Sequence, residues 1–362
     1  MDLEQSLFEV ETGNAGRENL TFLLGLEDKT EKETLYKRAY AVKEKYIGRK
    51  VYFRGLIELS NICQKDCCYC GVRKSNKNVQ RYQMTEEQAV KSAMWSYKNS
   101  YGSIVIQAGE RADEKYIAKI ENIVKRIKEE SGGHLGITLS LGEQSKETYQ
   151  RWFEAGAHRY LLRIESSNEA LYKQIHPADH IYADRIHCLQ YLRETGYQVG
   201  TGVMIGLPNQ TIGHLAEDLL FFKSIDADMI GMGPYIIHKE TPMVDSFVDF
   251  NSLKKRQFEL SLKMIACARL LLKDVNIAST TALQALKATG RELGLLAGAN
   301  IIMPNITDTE YRAFYQLYED KPCINENAGD CIDCLQKRIE FIGETIGLDE
   351  WGDSVHFSAR NS

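Results

Sequence analysis

The stretch Val51-Tyr52-Phe53-Arg54-Gly55-Leu56-Ile57-Glu58-Leu59-Ser60-Asn61-Ile62-Cys63-Gln64-Lys65-Asp66-Cys67-Cys68-Tyr69-Cys70 joins a strand pattern to a knot of thiols. Val51, Phe53, Ile57 and Leu59 fall on one face of its first part; Arg54 and Glu58 fall on the other. Period two is the mark of a strand, because successive side chains leave opposite faces of the pleat. Similar runs recur at 103–108, 136–141, 159–164, 199–205, 229–232, 276–279 and 300–303, eight in all. Amphipathic helical stretches at about 85–99, 114–130, 146–155, 183–195, 212–224, 253–272 and 282–296 fill the gaps. Thr85, with Gln88 three residues on, has the form of a capping box. Strict alternation of strands and helices predicts the α/β class and a closed (β/α)8 TIM-type barrel. An open doubly wound sheet is the alternative. The barrel is expected over residues 51–310. A helical extension precedes it over 1–50, where Leu35, Ala39, Val42 and Tyr46 share one face, and a C-terminal cysteine-containing segment occupies 311–362.

Parity makes a further statement. A packed barrel interior is filled by branched apolar side chains. Here Arg54 and Glu58, then Thr138 and Ser140, then Arg163 and Glu165 share the face opposite the apolar one. The interior is therefore expected to be partly hollow and polar, or to hold an internal salt bridge at its mouth.

Composition narrows the classes. The 362 residues are 43% hydrophobic and 26% charged, with a net charge of −5 and only six prolines. These are the values of a globular chain, not of a disordered or collagenous one. Mild acidity speaks against a nucleic-acid partner, since such proteins carry basic surfaces. No apolar run approaches the ~20 residues of a membrane span, and residues 1–18 have acids where a leader would have an apolar core. A cytoplasmic protein is expected. Seven of nine cysteines fall in two groups, 63–70 and 323–334. In a reducing compartment such groups read as metal ligands rather than disulfides.

Cys63, Cys67 and Cys70 form C-x3-C-x2-C directly after the first strand. Three thiolates at this spacing suit three corners of a cubane iron–sulfur cluster and leave the fourth iron open to a substrate or cofactor. A zinc site is the other reading; its remaining ligands would have to come from the distant second group. Cys68 is left as a spectator. Cys323, Cys331 and Cys334 form C-x7-C-x2-C, which suits a second Fe–S cluster or a structural zinc. Cys188 and Cys267 are expected to be ordinary buried thiols. His176, His180, His187 and His238 show no ligand spacing and are expected on the surface or in the core.

C-x3-C-x2-C with Tyr69 before its last cysteine resembles the signature of radical S-adenosylmethionine (SAM) enzymes. Further runs bring the resemblance to the FeFe-hydrogenase maturases of the HydE kind: Arg81-Tyr82-Gln83-Met84-Thr85-Glu86-Glu87, Gln107-Ala108-Gly109-Glu110, Thr138-Leu139-Ser140-Leu141-Gly142-Glu143, Arg159-Tyr160-Leu161-Leu162-Arg163, Gly206-Leu207-Pro208-Asn209-Gln210-Thr211, Gly233-Pro234-Tyr235-Ile236 and Thr280-Thr281-Ala282. They span about residues 35–350. Biotin synthase and methylornithine synthase are similar in architecture and match fewer of these runs.

The resemblance implies a 4Fe–4S cluster on Cys63, Cys67 and Cys70. SAM is then cleaved reductively there to a 5′-deoxyadenosyl radical. It implies SAM contacts from Tyr69, Gln107, Ser140, Glu165, Arg185 and Met204. Arg54, Arg163, Thr280, Thr281 and Tyr311 become the substrate-side candidates, suited to a small anionic or organometallic substrate. A second cluster, 2Fe–2S or 4Fe–4S, would sit on Cys323, Cys331 and Cys334. The implied work is assembly of the hydrogenase active-site H-cluster, with the other hydrogenase maturases and an electron donor as partners and no membrane. Two other functions stay open on the residues alone: a radical SAM synthase or mutase of a small molecule, and an iron–sulfur carrier.

Overall fold

Alternation over residues 50–60 gives strand β1 (Lys50–Ser60), whose Val51, Phe53, Ile57 and Leu59 are buried against the surrounding helices. The computed structural model describes residues 1–246, 250–319, 321–322 and 328–361. Strands β2 (Ser103–Ala108), β3 (Gly136–Ser140), β4 (Arg159–Leu161) and β5 (Gln198–Thr201) follow, each parallel to the one before. The fifth stave is interrupted and resumes as β6 (Met204–Ile205). The sixth is β7 (Met229–Ile230) resuming as β8 (Gly233–Pro234), and β6 pairs with β8. The break lies where the two backbones nearly touch: a Cβ on Gly202 would stand 2.1 Å from the Gly231 carbonyl oxygen. Strands β9 (Asn276–Ile277) and β10 (Ile301–Ile302) complete the order β10-β1-β2-β3-β4-β5-β7-β9. The ring closes through a bridge between Ala278 and Ile301, where Ser279 N–H donates to Ile301 O at 2.9 Å and Asn300 N–H to Ile277 O at 2.9 Å. The expected eight-stave barrel is what the chain forms.

The helices form for the reasons the sequence supplies. Thr85 Oγ1 accepts from Gln88 N–H while Gln88 Oε1 accepts from Thr85 N–H, and helix Glu86–Lys98 starts there. Helix Glu114–Glu130 is capped by Asp113 and buries Ile117, Ile120, Ile123, Val124 and Ile127 along one stripe. Two expectations change in detail. The stretch 282–296 is two helices, Thr281–Leu286 and Gly290–Leu296, and a short helix, Glu169–Ile175, lies between the fourth strand and helix Tyr182–Thr195.

Helices Leu3–Thr12, Arg17–Leu24 and Lys29–Tyr46 precede the barrel. Leu35, Ala39 and Val42 are buried, but Tyr46 at the helix end is exposed. Lys43 Nζ meets Glu344 Oε2 at 2.5 Å with both side chains out of solvent, which ties this extension to the C-terminal segment. That segment does not stand apart. Strand β11 (Thr345–Ile346) pairs with the start of β1, and residues 351–354 cross the barrel floor, the end where the strands begin. Asn276 Nδ2 donates to Gly352 O there, and Ser354 N–H donates to Gln198 Oε1. Among the described residues, no helix is long and apolar enough to cross a membrane.

Candidate active site at the barrel mouth

The strand ends open into a cavity of about 320 Å³. It is lined by Cys63, Cys67 and Cys70, by Tyr69, Gln107, Ser140, Glu165, Arg185 and Met204, and by Arg163, Thr280 and Thr281. Twelve candidates scattered over more than two hundred residues of sequence thus meet at one place. Cys68 does not line the cavity; it packs with Tyr69 against the small apolar cluster around Met204 and Tyr235.

The thiol loop is held close to the second strand. Gln64 N–H donates to Glu110 O, and a Cβ on Gly109 would stand 2.8 Å from Cys63 Cβ. Gly109 is thus required by close approach. Lys65 N–H donates to Cys63 Sγ at 3.4 Å. The three sulfurs are free thiols, each half-buried. Burial pushes Cys70 up to about 12, and burial together with the other thiols raises Cys67 well above its ordinary range. Thiols so shielded stay protonated until a cation replaces the proton. Three soft donors on one loop, with no fourth thiol at the cavity among the described residues, suit an Fe–S cluster with one open corner.

Around them charge is balanced rather than cationic. Arg185, buried inside helix Tyr182–Thr195, donates from Nε to Glu143 Oε1 at 2.6 Å and from Nη1 to Arg163 O, while Nη2 lies 2.5 Å from His180 Nε2. The guanidinium of this SAM candidate is thus engaged by protein groups. Burial pushes the Glu143 carboxyl up, but His180 and Arg185 outweigh this and hold it at about 2. Lys65 stands 3.5 Å from Glu110 and 3.6 Å from Glu143. Lys321 pairs with Glu58, which also accepts from Asn305 Nδ2 at 2.9 Å.

Arg163 Nη2 lies 2.9 Å from Glu165 Oε2 in an ion contact. The geometry is not that of a hydrogen bond, and Arg163 Nε, Glu165 Oε2 and Thr280 Oγ1 are buried without hydrogen-bond partners among the described residues. Burial pushes the Glu165 carboxyl up against the pull of Arg163 and Arg185. Unspent capacity of this kind is what a polar ligand would satisfy.

Two substrate-side candidates lie elsewhere. Arg54 points into the barrel as parity required, but at the floor. It lines a separate cavity of about 20 Å³, and its guanidinium donates to Gly352 O at 3.0 Å and meets Met229 Sδ at 3.0 Å. Its expected partner Glu58 is one full inward step beyond Leu56, at the other end of the barrel. Tyr311 does not line the cavity: it stacks on Tyr82 at 4.8 Å and accepts from Gln88 Nε2 at 2.9 Å.

The histidines lie in the core or on the surface as expected, but two of the buried ones flank the thiols. His176 and His180 are buried beside the thiol loop; Tyr69 Oη is 3.3 Å from His176 Nε2, and His180 Nδ1 is 3.8 Å from Cys67 Sγ. Glu58, Glu110, Glu143, His180 and Lys321 were not among the sequence candidates. A signal existed for Glu143, three residues beyond Ser140 in a mouth loop; none existed for His180 or Lys321, which reach the site only through the fold. Cys188 and Cys267 are buried, as expected. Of the second cysteine group, Cys334 is exposed on helix Ala328–Phe341; Cys323 and the Cys331 side chain lie outside the described residues.

Comparison with known proteins follows the same lines. Residues 57–222 match the family model described as the radical SAM superfamily. The chain is 45% identical over 337 residues to the FeFe-hydrogenase maturase subunit HydE of Thermotoga maritima, covering 93% of each chain. A solved structure of methylornithine synthase (PylB) superposes with a TM-score of 0.81 at 25% identity, over 95% of this chain and 98% of that one. The FeFe-hydrogenase maturase HydG from Carboxydothermus hydrogenoformans superposes with 0.79 at 18% identity, over 96% and 79%, and shares the fold.

Proposed function

The chain belongs to the radical SAM superfamily and, within it, to the family of the FeFe-hydrogenase maturase subunit HydE; from that premise we propose that it is the HydE-type enzyme of hydrogenase maturation, working at the barrel mouth. The observation that carries the proposal is the convergence of three free thiols with Gln107, Ser140, Glu165 and Met204 on one cavity. Cys63, Cys67 and Cys70 would hold the 4Fe–4S cluster. With both groups bound, such a cluster would supply the reducing electron for SAM cleavage, the chemistry of the family.

The chain's own residues do the rest. Tyr69, Gln107, Ser140, Glu165 and Met204 shape the SAM side of the cavity. Glu165 Oε2, in ion contact with Arg163 but without a hydrogen bond, has capacity left for a cation or hydroxyl. Arg185 is a fixed charge that, with His180, keeps Glu143 ionised. Arg163, Thr280 and Thr281 line the substrate side, opposite acids as well as cations. The site thus suits a small substrate carrying both signs of charge more than a bare anion. The partners we propose are the other maturases and an electron donor, in the cytoplasm. Cys323, Cys331 and Cys334 remain candidates for a second cluster.

The test is reconstitution with iron and sulfide, reduction with dithionite and addition of SAM. Equal amounts of 5′-deoxyadenosine and methionine are expected, and the protein should restore hydrogenase activity to a maturation mixture that lacks only its HydE. Cleavage of SAM with formation of 3-methylornithine and no restoration would assign it to the synthase branch instead. Iron transfer without SAM cleavage would make it a carrier.

A further inference from the structure

Glu165 has φ +65°, in the left-handed region, although it is not glycine. A side chain stays there only when its surroundings over-determine the backbone. Locally two bonds act: Glu165 N–H donates to Gly202 O at 3.0 Å, and Met204 N–H donates to Glu165 O at 3.1 Å. The third fastening comes from outside the strand ends. Ser167, two residues on, donates from both its backbone N–H and its hydroxyl to Asp218 Oδ1, at 2.7 and 2.6 Å.

Asp218 is out of place for stability alone. It lies in helix Ile212–Ser224, fully buried on the face that carries Leu215, Ala216, Leu219 and Phe222. A carboxyl on that face loses its hydration, and here Oδ2 finds no hydrogen-bond partner. Burial raises the carboxyl to about 7. The titratable groups around it are few: Glu217, which pairs outward with Arg17, and Tyr182, whose hydroxyl donates to Ser167 O at 2.8 Å. A leucine would suit the helix face. What the carboxyl supplies is its grip on Ser167.

That grip reaches both halves of the cavity. Upstream it ends the turn that carries Glu165. Downstream, Asn168 caps helix Glu169–Ile175, and Ile175 O accepts from Cys68 N–H at 2.9 Å, in the thiol loop. We propose that Asp218 is a positioning residue that clamps the 165–168 turn, holding Glu165 in its left-handed conformation against the cavity. The inference rests on the reading of that cavity as the SAM site.

The test uses full-length protein with two readouts: amide hydrogen exchange of the cluster-free form, and equilibrium dialysis of SAM against the reconstituted form. Asp218→Leu should weaken SAM binding about tenfold, as expected if about one ordinary hydrogen bond's worth of the lost grip on Ser167 is passed on to Glu165. It should speed exchange at residues 164–169 and at Met204, with an unchanged melting temperature. Asp218→Asn keeps the accepting oxygen and should stay within about twofold of the parent protein, since a neutral acceptor retains most of the interaction. Ser167→Ala removes one of the two bonds and should fall between them.

Parent-like affinity and exchange in Asp218→Leu would overturn the proposal. So would exchange raised equally over the whole barrel, which marks a merely structural role. Should Asp218→Leu not fold, Ser167→Ala decides: parent-like behaviour overturns the clamp. A parent protein that binds no SAM sinks the reading of the cavity instead, and the exchange data then judge Asp218 alone.

Discussion

The two ends of this barrel are built from the same inward-facing positions and do opposite things. At the floor, Arg54, Thr138, Arg159 and Asn276 point inward and are closed over by residues 351–354. Arg159 donates from Nη1 to Asp353 Oδ1 at 2.7 Å and to Trp351 O at 2.9 Å, and from Nε to Thr138 Oγ1 at 3.0 Å. At the mouth, Glu58, Ser140 and Glu165 point inward two to six residues later on the staves of Arg54, Thr138 and Arg159, and with Gln107 of β2 they are left facing a cavity. Strand parity sees both sets alike. Depth along the stave separates them: near a strand's start an inward polar group is plugged, and near its end it is offered to a ligand. Polar interior positions therefore do not by themselves mark a binding site.

The comparison breaks most sharply at the thiols. Alanine at Cys63, Cys67 or Cys70 should lower 5′-deoxyadenosine formation by at least about a hundredfold, since a lost ligand disables the cluster rather than weakening one contact. Cys68→Ala should retain activity, because its side chain stays off the cavity. Iron content and SAM cleavage read together check this. Full turnover in Cys67→Ala would refute the mouth as the reacting end.

The floor should answer in stability instead. Asp353 is the carboxylate that compensates the buried Arg159, and it also meets His158 Nε2 at 3.1 Å. Burial opposes its ionisation, yet His158 and Arg159 hold its carboxyl well below the usual range. Asp353→Ala leaves Arg159 buried and uncompensated, at a cost of roughly 2–3 kcal/mol. For a chain of this size that lowers the melting temperature by roughly 5 °C. SAM cleavage at permissive temperature should stay within about twofold, since the only loss is a floor contact. Arg54→Met keeps the bulk and removes a guanidinium with no carboxylate of its own, so it should be neutral or stabilising. Calorimetry beside a cleavage assay separates the two ends. A selective loss of substrate-dependent turnover in Arg54→Met would return Arg54 to the substrate side.

The sequence made the staves and the thiol loop legible because both are local: period two within a strand, three cysteines within eight residues. Inward parity of Arg54 and Glu58 was readable too. Their depth was not, because depth depends on where the C-terminal segment folds back. Nothing near residues 351–354 announces that they cross the floor. His180 and Lys321 were illegible for the same reason: neither sits at a strand end, and each reaches the cavity through a loop whose path is set by tertiary packing. Arg185 was legible as a residue but not in its use. Its partners Glu143, Arg163 O and His180 become neighbours only once the fourth stave and its helix have packed.

The smallest effect lies where the floor plate is latched. His356, on helix Val355–Arg360, sits between two carboxylates, with Nδ1 3.1 Å from Asp274 Oδ1 and Nε2 2.7 Å from Asp226 Oδ1. The bond to Asp274 is the main cause that raises it to about 9, against the opposing effect of burial and with Asp226 adding to it. Because the folded value lies above the ~6.5 of an unfolded histidine, the latch is fully charged below about pH 6.5 and weakens as pH rises toward 9. With a side chain partly in water, its contribution is about 1 kcal/mol once solvent screening is allowed for. Arg360, on Asp226 and Asp228, also holds the helix in part. Amide exchange at 355–361 should therefore exceed its intrinsic base dependence by up to about fivefold between pH 6.5 and 9, while the mouth loops show no such excess. His356→Gln should already exchange fast at pH 6.5 and show no excess. An identical excess in His356→Gln would show that the floor plate is held without the histidine.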